Sequence, residues 1–278
     1  FFYTEDQKKS LSTFTESLRN VVFQAKLGTS YEKVMRFKAL AARIIDALNN
    51  PSIAAKVERA AYLCKADLVS EMVGEFPELQ GIMGREYARI AGEPEIVAQA
   101  LFEHYLPRFA GDVLPASDVG AIVSISDKLD TIAGCFGIGL IPTGTADPYA
   151  LRRQCLGIIN IILNKKYTLS LADLISIAVA NLKDKITRPP QDICSDVLNF
   201  FSGRLANLLT SQGYSYDVVD AILARGIDNL TDIANRVAAL QQQGHPIAYL
   251  DPKGSYAWME DMLILKGAPM AECEELVN

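Results

Sequence analysis

The sequence predicts an all-α fold, and three observations carry the prediction. Apolar residues recur at 3- and 4-residue steps along nearly the whole chain, the spacing of one helix face. No run sustains the period-2 alternation of a half-buried strand, although Asn20–Ala25 has the composition of a short one. Capping residues precede the apolar runs and glycines follow them, which is helical punctuation.

The elements follow in order. Val34, Phe37, Leu40, Ala41, Ile44, Ile45 and Leu48 share one helix face. Ile53, Val57, Ala60, Ala61, Cys64, Leu68 and Met72 repeat that spacing and predict a helix over 53–72. Pro94 suits the first turn of a helix carrying Ile96, Val97, Ala100 and Leu101. Leu114–Ala133 predicts another, capped by Ser117. Asp147-Pro148 predicts a cap and N1 proline for a helix reaching about Leu163. Its segment "CLGIINIIL" is apolar on nearly every face and is expected at the centre of the fold. Ser170–Leu182, Asp196–Leu209, Tyr216–Ala224 and Leu230–Leu240 follow, with Gly213, Gly226 and Gly244 just past helix ends. The expected core includes Leu63, Leu68, Met72, Val123, Ile132, Leu156, Ile158, Ile159 and Ile162. Pro189-Pro190, in "ITRPPQD", divides the chain into residues 1–188 and 189–278.

Composition narrows the function classes. Half of the 278 residues are hydrophobic, enough for a sizeable core. The chain opens at Phe1, which reads as a piece of a longer protein, and no signal peptide is expected. The charge-free run Thr131–Ala146 is broken by Gly and Pro and does not predict a membrane span. Cys64, Cys135, Cys155, Cys194 and Cys273 form no CxxC pair and predict free thiols in a reducing cytoplasm. The net charge of −6 is unevenly spread. Residues 1–60 hold 10 Lys and Arg against 6 Asp and Glu, and 151–190 hold 7 against 2. The other two blocks are acidic, so only 1–60 and 151–190 could offer nucleic acid a basic face. On charge alone, ordinary solvated surface is the favoured reading.

Several stretches carry candidate chemistry. "AIVSISDKLDTIAGCFGIG", residues 121–139, sets Asp127 and Asp130 in an apolar run, where an unpaired carboxylate is costly. Three apart on a helix, they share roughly one face. The glycines of "GCFGIGLIPTGT" follow a helix and lack GK[ST], so they predict close helix approach rather than a phosphate loop. Arg152 and Arg153 stand at a helix N-terminus, the unfavourable end of its dipole. They are expected to pair with Asp127 or Asp130 or with a ligand phosphate, internal pairing being favoured.

"RAAYLCKADL", "FEHYLPRFAGDVLP" and "SDKLD" together resemble the HD superfamily of helical metal-dependent phosphohydrolases. The resemblance puts Asp67 at the HD aspartate, His104 at a later histidine and Asp127 at the final aspartate. The departures are decisive. Ala66 stands in the histidine position, and His104 and His245 are the chain's two histidines. Lys65 and Lys128 lie beside two of the remaining positions, and a cation there opposes a metal and can replace its charge. The expectation is therefore an HD-superfamily-like helical domain, with additional C-terminal helices, that has no metal and no catalytic residue. In its pocket Asp127 should face Lys65 and His104, and Asp130 should reach Arg152 or Arg153.

Longer stretches narrow the resemblance. "KADLVSEMVGEFPELQGIMGREYA", "EHYLPRFAGDVLP", "SDKLDTIAGCFGIGLIPTGTADPYALRRQCLGII" and "GYSYDVVDAILA" resemble the β subunit of bacterial glycyl-tRNA synthetase, the type built from two different subunits. The likeness runs from residue 1 to about 240; residues 245–278 match nothing in it. It implies a cytoplasmic ligase whose α subunit uses glycine and ATP and whose β subunit binds tRNA. It also implies that this central part alone has no cofactor and makes no bonds. Its implied partners are the α subunit and tRNA(Gly). Arg152, Arg153, Lys165 and Lys166 are candidates for phosphate contact or internal ion pairing. A working HD phosphohydrolase and a non-catalytic helical scaffold are the alternatives.

Overall fold

Over the described residues, helices form wherever the apolar periodicity runs and stop where caps and prolines interrupt it. The structure is a computed structural model that describes residues 1–242 and a short antiparallel pairing of Ile247–Ala248 with Ile264–Leu265. Two short helices, α1 (Phe2–Asp6) and α2 (Leu11–Ser17), lead into a small hairpin of β1 (Val22–Gln24) and β2 (Gly28–Thr29). There follow α3 (Ser30–Ala47), α4 (Ala54–Leu63), α5 (Glu71–Glu75), α6 (Ile82–Ile90), α7 (Glu95–Glu103) and α8 (Asp118–Gly137). The chain continues through α9 (Leu151–Lys165), α10 (Leu171–Ala180), α11 (Pro190–Ser211), α12 (Tyr216–Leu223) and α13 (Leu230–Gln242). The all-α class is correct, and β1 lies in the expected 20–25 stretch.

The centre is α8, not the "CLGIINIIL" helix. Every residue from Val119 to Gly137 is buried, and α3, α4, α7, α9, α10 and α11 pack around it. Such a helix must be apolar on all sides or have its polar groups partnered. Helix α9 leaves Leu156, Asn160 and Leu163 only partly buried. Leu156 is thus removed from the expected core, whereas Leu63, Val123, Ile132, Ile158, Ile159 and Ile162 are in it. Leu68 and Met72 are partly buried against the core. Gly134 and Gly137 give α8 its close neighbours: a Cβ at either would meet Leu27 or Ile186 respectively.

Several boundaries move for identifiable reasons. The expected single helix over 53–72 is three pieces: α4, a 3-10 turn at Ala66–Val69, and α5. Ser70 restarts the chain as the α5 cap, accepting from Val73 N at 3.2 Å. Asp6 adds a remote cap, accepting from Glu71 N at 2.8 Å and Met72 N at 3.0 Å. Asp147 does cap α9, but from three residues further back. Its carboxylate accepts from Leu151 N at 2.7 Å and Arg152 N at 3.0 Å, while Ala150 turns through a left-handed conformation. Pro190 takes N1 of α11 and so starts that helix six residues before Asp196. Pro94 occupies the α7 N-cap rather than its first turn. Ser117 caps α8 and Ser170 caps α10. Gly213 and Gly226 have positive φ just past helix ends; Gly244 lies outside the described residues.

Candidate functional site

The buried charges of α8 collect at one side of the core, where five parts of the chain converge. Asp127 and Asp130 are 8% and 2% exposed, so each needs a partner. Asp127 lies between two ammonium groups. Lys33 Nζ, from α3, is 2.6 Å from Oδ1, and Lys65 Nζ, from just before the 3-10 turn, is 2.8 Å from Oδ2. Lys33 also donates to the Asp127 carbonyl at 2.8 Å and to Thr131 Oγ1 at 2.9 Å. Lys65 lies 4.3 Å from the centre of the Tyr105 ring, within cation–π range. Burial alone would raise the Asp127 pKa. The charges of Lys33 and Lys65 outweigh it and hold the carboxyl well below the usual range.

Asp130 has its own partner. Arg36 grips it with both fork nitrogens, Nε to Oδ1 at 2.8 Å and Nη2 to Oδ2 at 3.1 Å, and donates Nη1 to the Leu27 carbonyl at 3.1 Å. Such two-point pairing is the strongest form of carboxylate recognition. The expected pairing of Asp130 with Arg152 or Arg153 is therefore incorrect. Among the described residues neither arginine forms an ion pair; Asp147 serves their helix end, and Arg153 is exposed at the pocket mouth. Lys33 and Arg36 were missed by sequence reasoning, although Lys33 falls on the same stripe as Phe37, Leu40 and Ile44.

The other pocket residues divide. Lys128 does not touch Asp127. Its ammonium donates to the His104 and Leu106 carbonyls, each at 3.0 Å, and to Ser124 Oγ at 2.6 Å. Burial, reinforced by the charges of Lys65 and Lys33, lowers its pKa to about 7. His104 is fully buried, and its Nδ1 donates to the Leu101 carbonyl at 2.7 Å. Nε2 has no partner. Burial and then the Lys65 charge push the imidazole well below its ordinary pKa, so it is neutral.

Asp67 faces away from the pocket wall. Its Oδ2 accepts from Gly81 N at 2.6 Å and Gly84 N at 3.1 Å, while Oδ1 is unpartnered. Gly81 is required there. Its φ is +81°, and a Cβ would lie 2.7 Å from the Tyr105 ring. Burial raises Asp67 to about 6, against the pull of those two backbone donors. Lys165 pairs with Asp118 at 3.3 Å and donates to the Ala116 carbonyl at 2.6 Å, while Lys166 is exposed. Cys64, Cys135, Cys155 and Cys194 are free thiols; Cys273 and His245 lie outside the described residues.

Asp67, His104 and Asp127 do not fit a metal. Asp67 does not line the pocket and its Oδ2 is taken by two backbone donors, and both oxygens of Asp127 lie against ammonium groups. Among the described residues no cluster of three or more His, Cys, Asp or Glu is placed to hold one. Fold and pocket together define a class: a helical module whose pocket aspartate is neutralised by lysines of its own chain. The family model for the glycyl-tRNA synthetase beta subunit matches residues 1–224, and the chain belongs to that family. It is 60% identical over 247 residues to the glycine–tRNA ligase beta subunit of Geobacter metallireducens, an alignment covering 88% of this chain and 36% of that protein. The same subunit of Geobacter sulfurreducens is 61% identical over 240 residues, covering 86% and 35%. That of Syntrophus aciditrophicus is 55% identical over 247 residues, covering 88% and 36%. The chain thus spans about a third of the length of the relatives it matches. Among the described residues no helix is long and apolar enough to cross a membrane.

Proposed function

We propose that this chain is the HD-like helical part of a glycine–tRNA ligase β subunit and supports tRNA binding and assembly with the α subunit, rather than bond-making. The observation that carries the reading is the family match over residues 1–224. In it, residues 1–188 form the HD-like unit and 189–278 lead towards a further C-terminal part. Glycine and ATP are used by the α subunit, in the cytoplasm where tRNA is charged. The pocket supports the non-hydrolytic half of the reading. A phosphohydrolase needs carboxylate and imidazole ligands free for a metal. Here Lys33 and Lys65 take that place on Asp127.

The tRNA contacts are assigned to phosphates and to the basic segments 1–60 and 151–190. Among the described residues Arg152 and Arg153 on α9, and Lys166 just after it, form no ion pair, while Lys165 is tied to Asp118. Titration of tRNA into the chain, with and without the α subunit, tests this. Affinity should fall with salt by a log–log slope of about 0.7–0.9 per phosphate contacted. Arg152→Gln with Lys166→Gln should weaken all tRNAs alike. Salt-independent binding, or no loss from charge removal in either segment, would favour the scaffold reading.

A further inference from the structure

Beside Asp127 lies a cavity of about 320 Å³, a size within the range of small-ligand sites. Its wall is strongly cationic. Lys33 from α3, Lys65 from the turn after α4, Arg108 from the loop after α7, Lys128 from α8 and Arg153 from α9 all line it, against the single carboxylate of Asp127. Even with Lys128 counted as neutral, four cations face one anion. Asp130 does not redress this, because Arg36 takes it with both fork nitrogens.

A low-dielectric cleft lined by one sign of charge focuses the field and concentrates the opposite ion. The convergence is costly for a fold that needs only one neutralised aspartate: Lys33 and Lys65 already satisfy Asp127, so Arg108 and Arg153 are surplus. Arg108 uses Nη2 on the Gln80 carbonyl at 2.8 Å and lies 5.3 Å and 5.7 Å from the Phe102 and Tyr105 ring centres, and its guanidinium has no anionic partner among the described residues. Arg153, exposed at the mouth, has no ion-pair partner among them. Two further polar atoms of wall residues, His104 Nε2 and Tyr105 Oη, are buried with no hydrogen-bond partner among the described residues.

We propose that this cavity is an anion site for one phosphate group, with Arg153 at the mouth and Arg108 and Lys65 on the wall. The inference goes beyond the tRNA-handling reading and does not require it. The group could arrive as a free phosphate ester or as the terminal phosphate of an RNA, and the chemistry recognised is the same.

The test is calorimetric titration of the chain with inorganic phosphate at low ionic strength. It is repeated with a nucleoside 5′-monophosphate and with a short RNA carrying either a 5′-phosphate or a 5′-hydroxyl. The expected result is saturable binding of one phosphate per chain, weakened tenfold or more in Arg153→Gln. Arg225→Gln, which removes one exposed charge elsewhere, should leave it unchanged. Because Arg153 is exposed, its replacement should not unfold the protein, and an unchanged circular-dichroism melt checks this. Preference for the 5′-phosphorylated RNA over its 5′-hydroxyl twin, competed by inorganic phosphate, assigns an RNA end. Tight monophosphate binding with no such preference assigns a free ester. No saturable phosphate binding, or equal loss in the Arg153 and Arg225 variants, overturns the proposal, even if tRNA binding by the basic segments stands.

Discussion

Replacing Asp127 by asparagine keeps the side chain's shape and removes its charge, so it isolates what the carboxylate does. Two ammonium groups lose their nearest anion. Lys33 keeps Asp130 at 3.4 Å, the Asp127 carbonyl and Thr131. Apart from the asparagine oxygen, which can accept from one of the two ammonium groups, Lys65 keeps the face of Tyr105 among the described residues. The cost therefore falls mainly on Lys65, whose side chain is 11% exposed. Breaking a buried pair by removing one partner typically costs about 3–5 kcal/mol. With Lys33 still served, the lower end, about 3 kcal/mol, is expected for Asp127→Asn. At about 2–4 °C per kcal/mol for a chain near this size, the melting temperature should fall by about 6–12 °C. Urea denaturation followed by circular dichroism at 222 nm measures the loss. Adding Lys65→Met should recover part of it, since the stranded charge is then gone, and the cycle of single and double variants gives the coupling. A loss below about 1 kcal/mol, the range of exposed pairs, or no recovery in the double variant, would refute the claim that this carboxylate anchors the pocket.

Asp67 and Lys128 make opposite pH predictions. Asp67 sits at about 6 in the fold against about 3.9 in the free chain. The folded state therefore binds more protons between those values, and stability contributed there is lost as pH rises through 6. Asp67→Asn keeps an acceptor for Gly81 and Gly84 and should remove that fall, as denaturation midpoints from pH 4 to 7 would show. Lys128 sits at about 7 against about 10.4. The unfolded chain binds more protons in that window, so stability should rise with pH, by at most about 1.4 kcal/mol per unit, and Lys128→Met should flatten the rise. Ala66→His restores the histidine that the HD resemblance calls for. At a site that is 0% exposed it should destabilise by overpacking, by about 1–3 kcal/mol, and should not confer stoichiometric metal uptake measured by elemental analysis.

What could be read in advance followed from periodicity and local chemistry. The apolar spacing located α3 and α8, and Ser117 and Ser170 marked starts that depend on one hydroxyl each. Asp127 with Lys65 was legible because the motifs on either side placed both at one pocket. The errors share a cause: a distant group decided a local outcome. Ser70 marks the restart locally, but Asp6 reaches the α5 backbone from 65 residues away and leaves no nearby signal. Arg36 claims Asp130 from α3, and nothing in "SDKLD" names its partner. Lys33 did leave a trace, since a lysine on a core-facing stripe must be neutralised inside, but that position was read only for its apolar neighbours. Lys128 follows Asp127 directly, but successive helical residues diverge by about 100°, and its ammonium goes to the loop carbonyls.

The link between α3 and α8 also has a consequence for the order of events on the ribosome. Lys33 and Asp127 are 94 residues apart. At a synthesis rate of about 5–20 residues per second, α8 follows α3 by about 5–20 s. Through that interval α3 can pack with α4 but has neither the anions that neutralise Lys33 and Arg36 nor the central helix α8 against its apolar stripe. The nascent segment must wait with part of its apolar face uncovered, a ready client for holding chaperones. Chains halted before residue 118 should remain protease-sensitive, and resistance should appear in one step once α8 has cleared the exit tunnel.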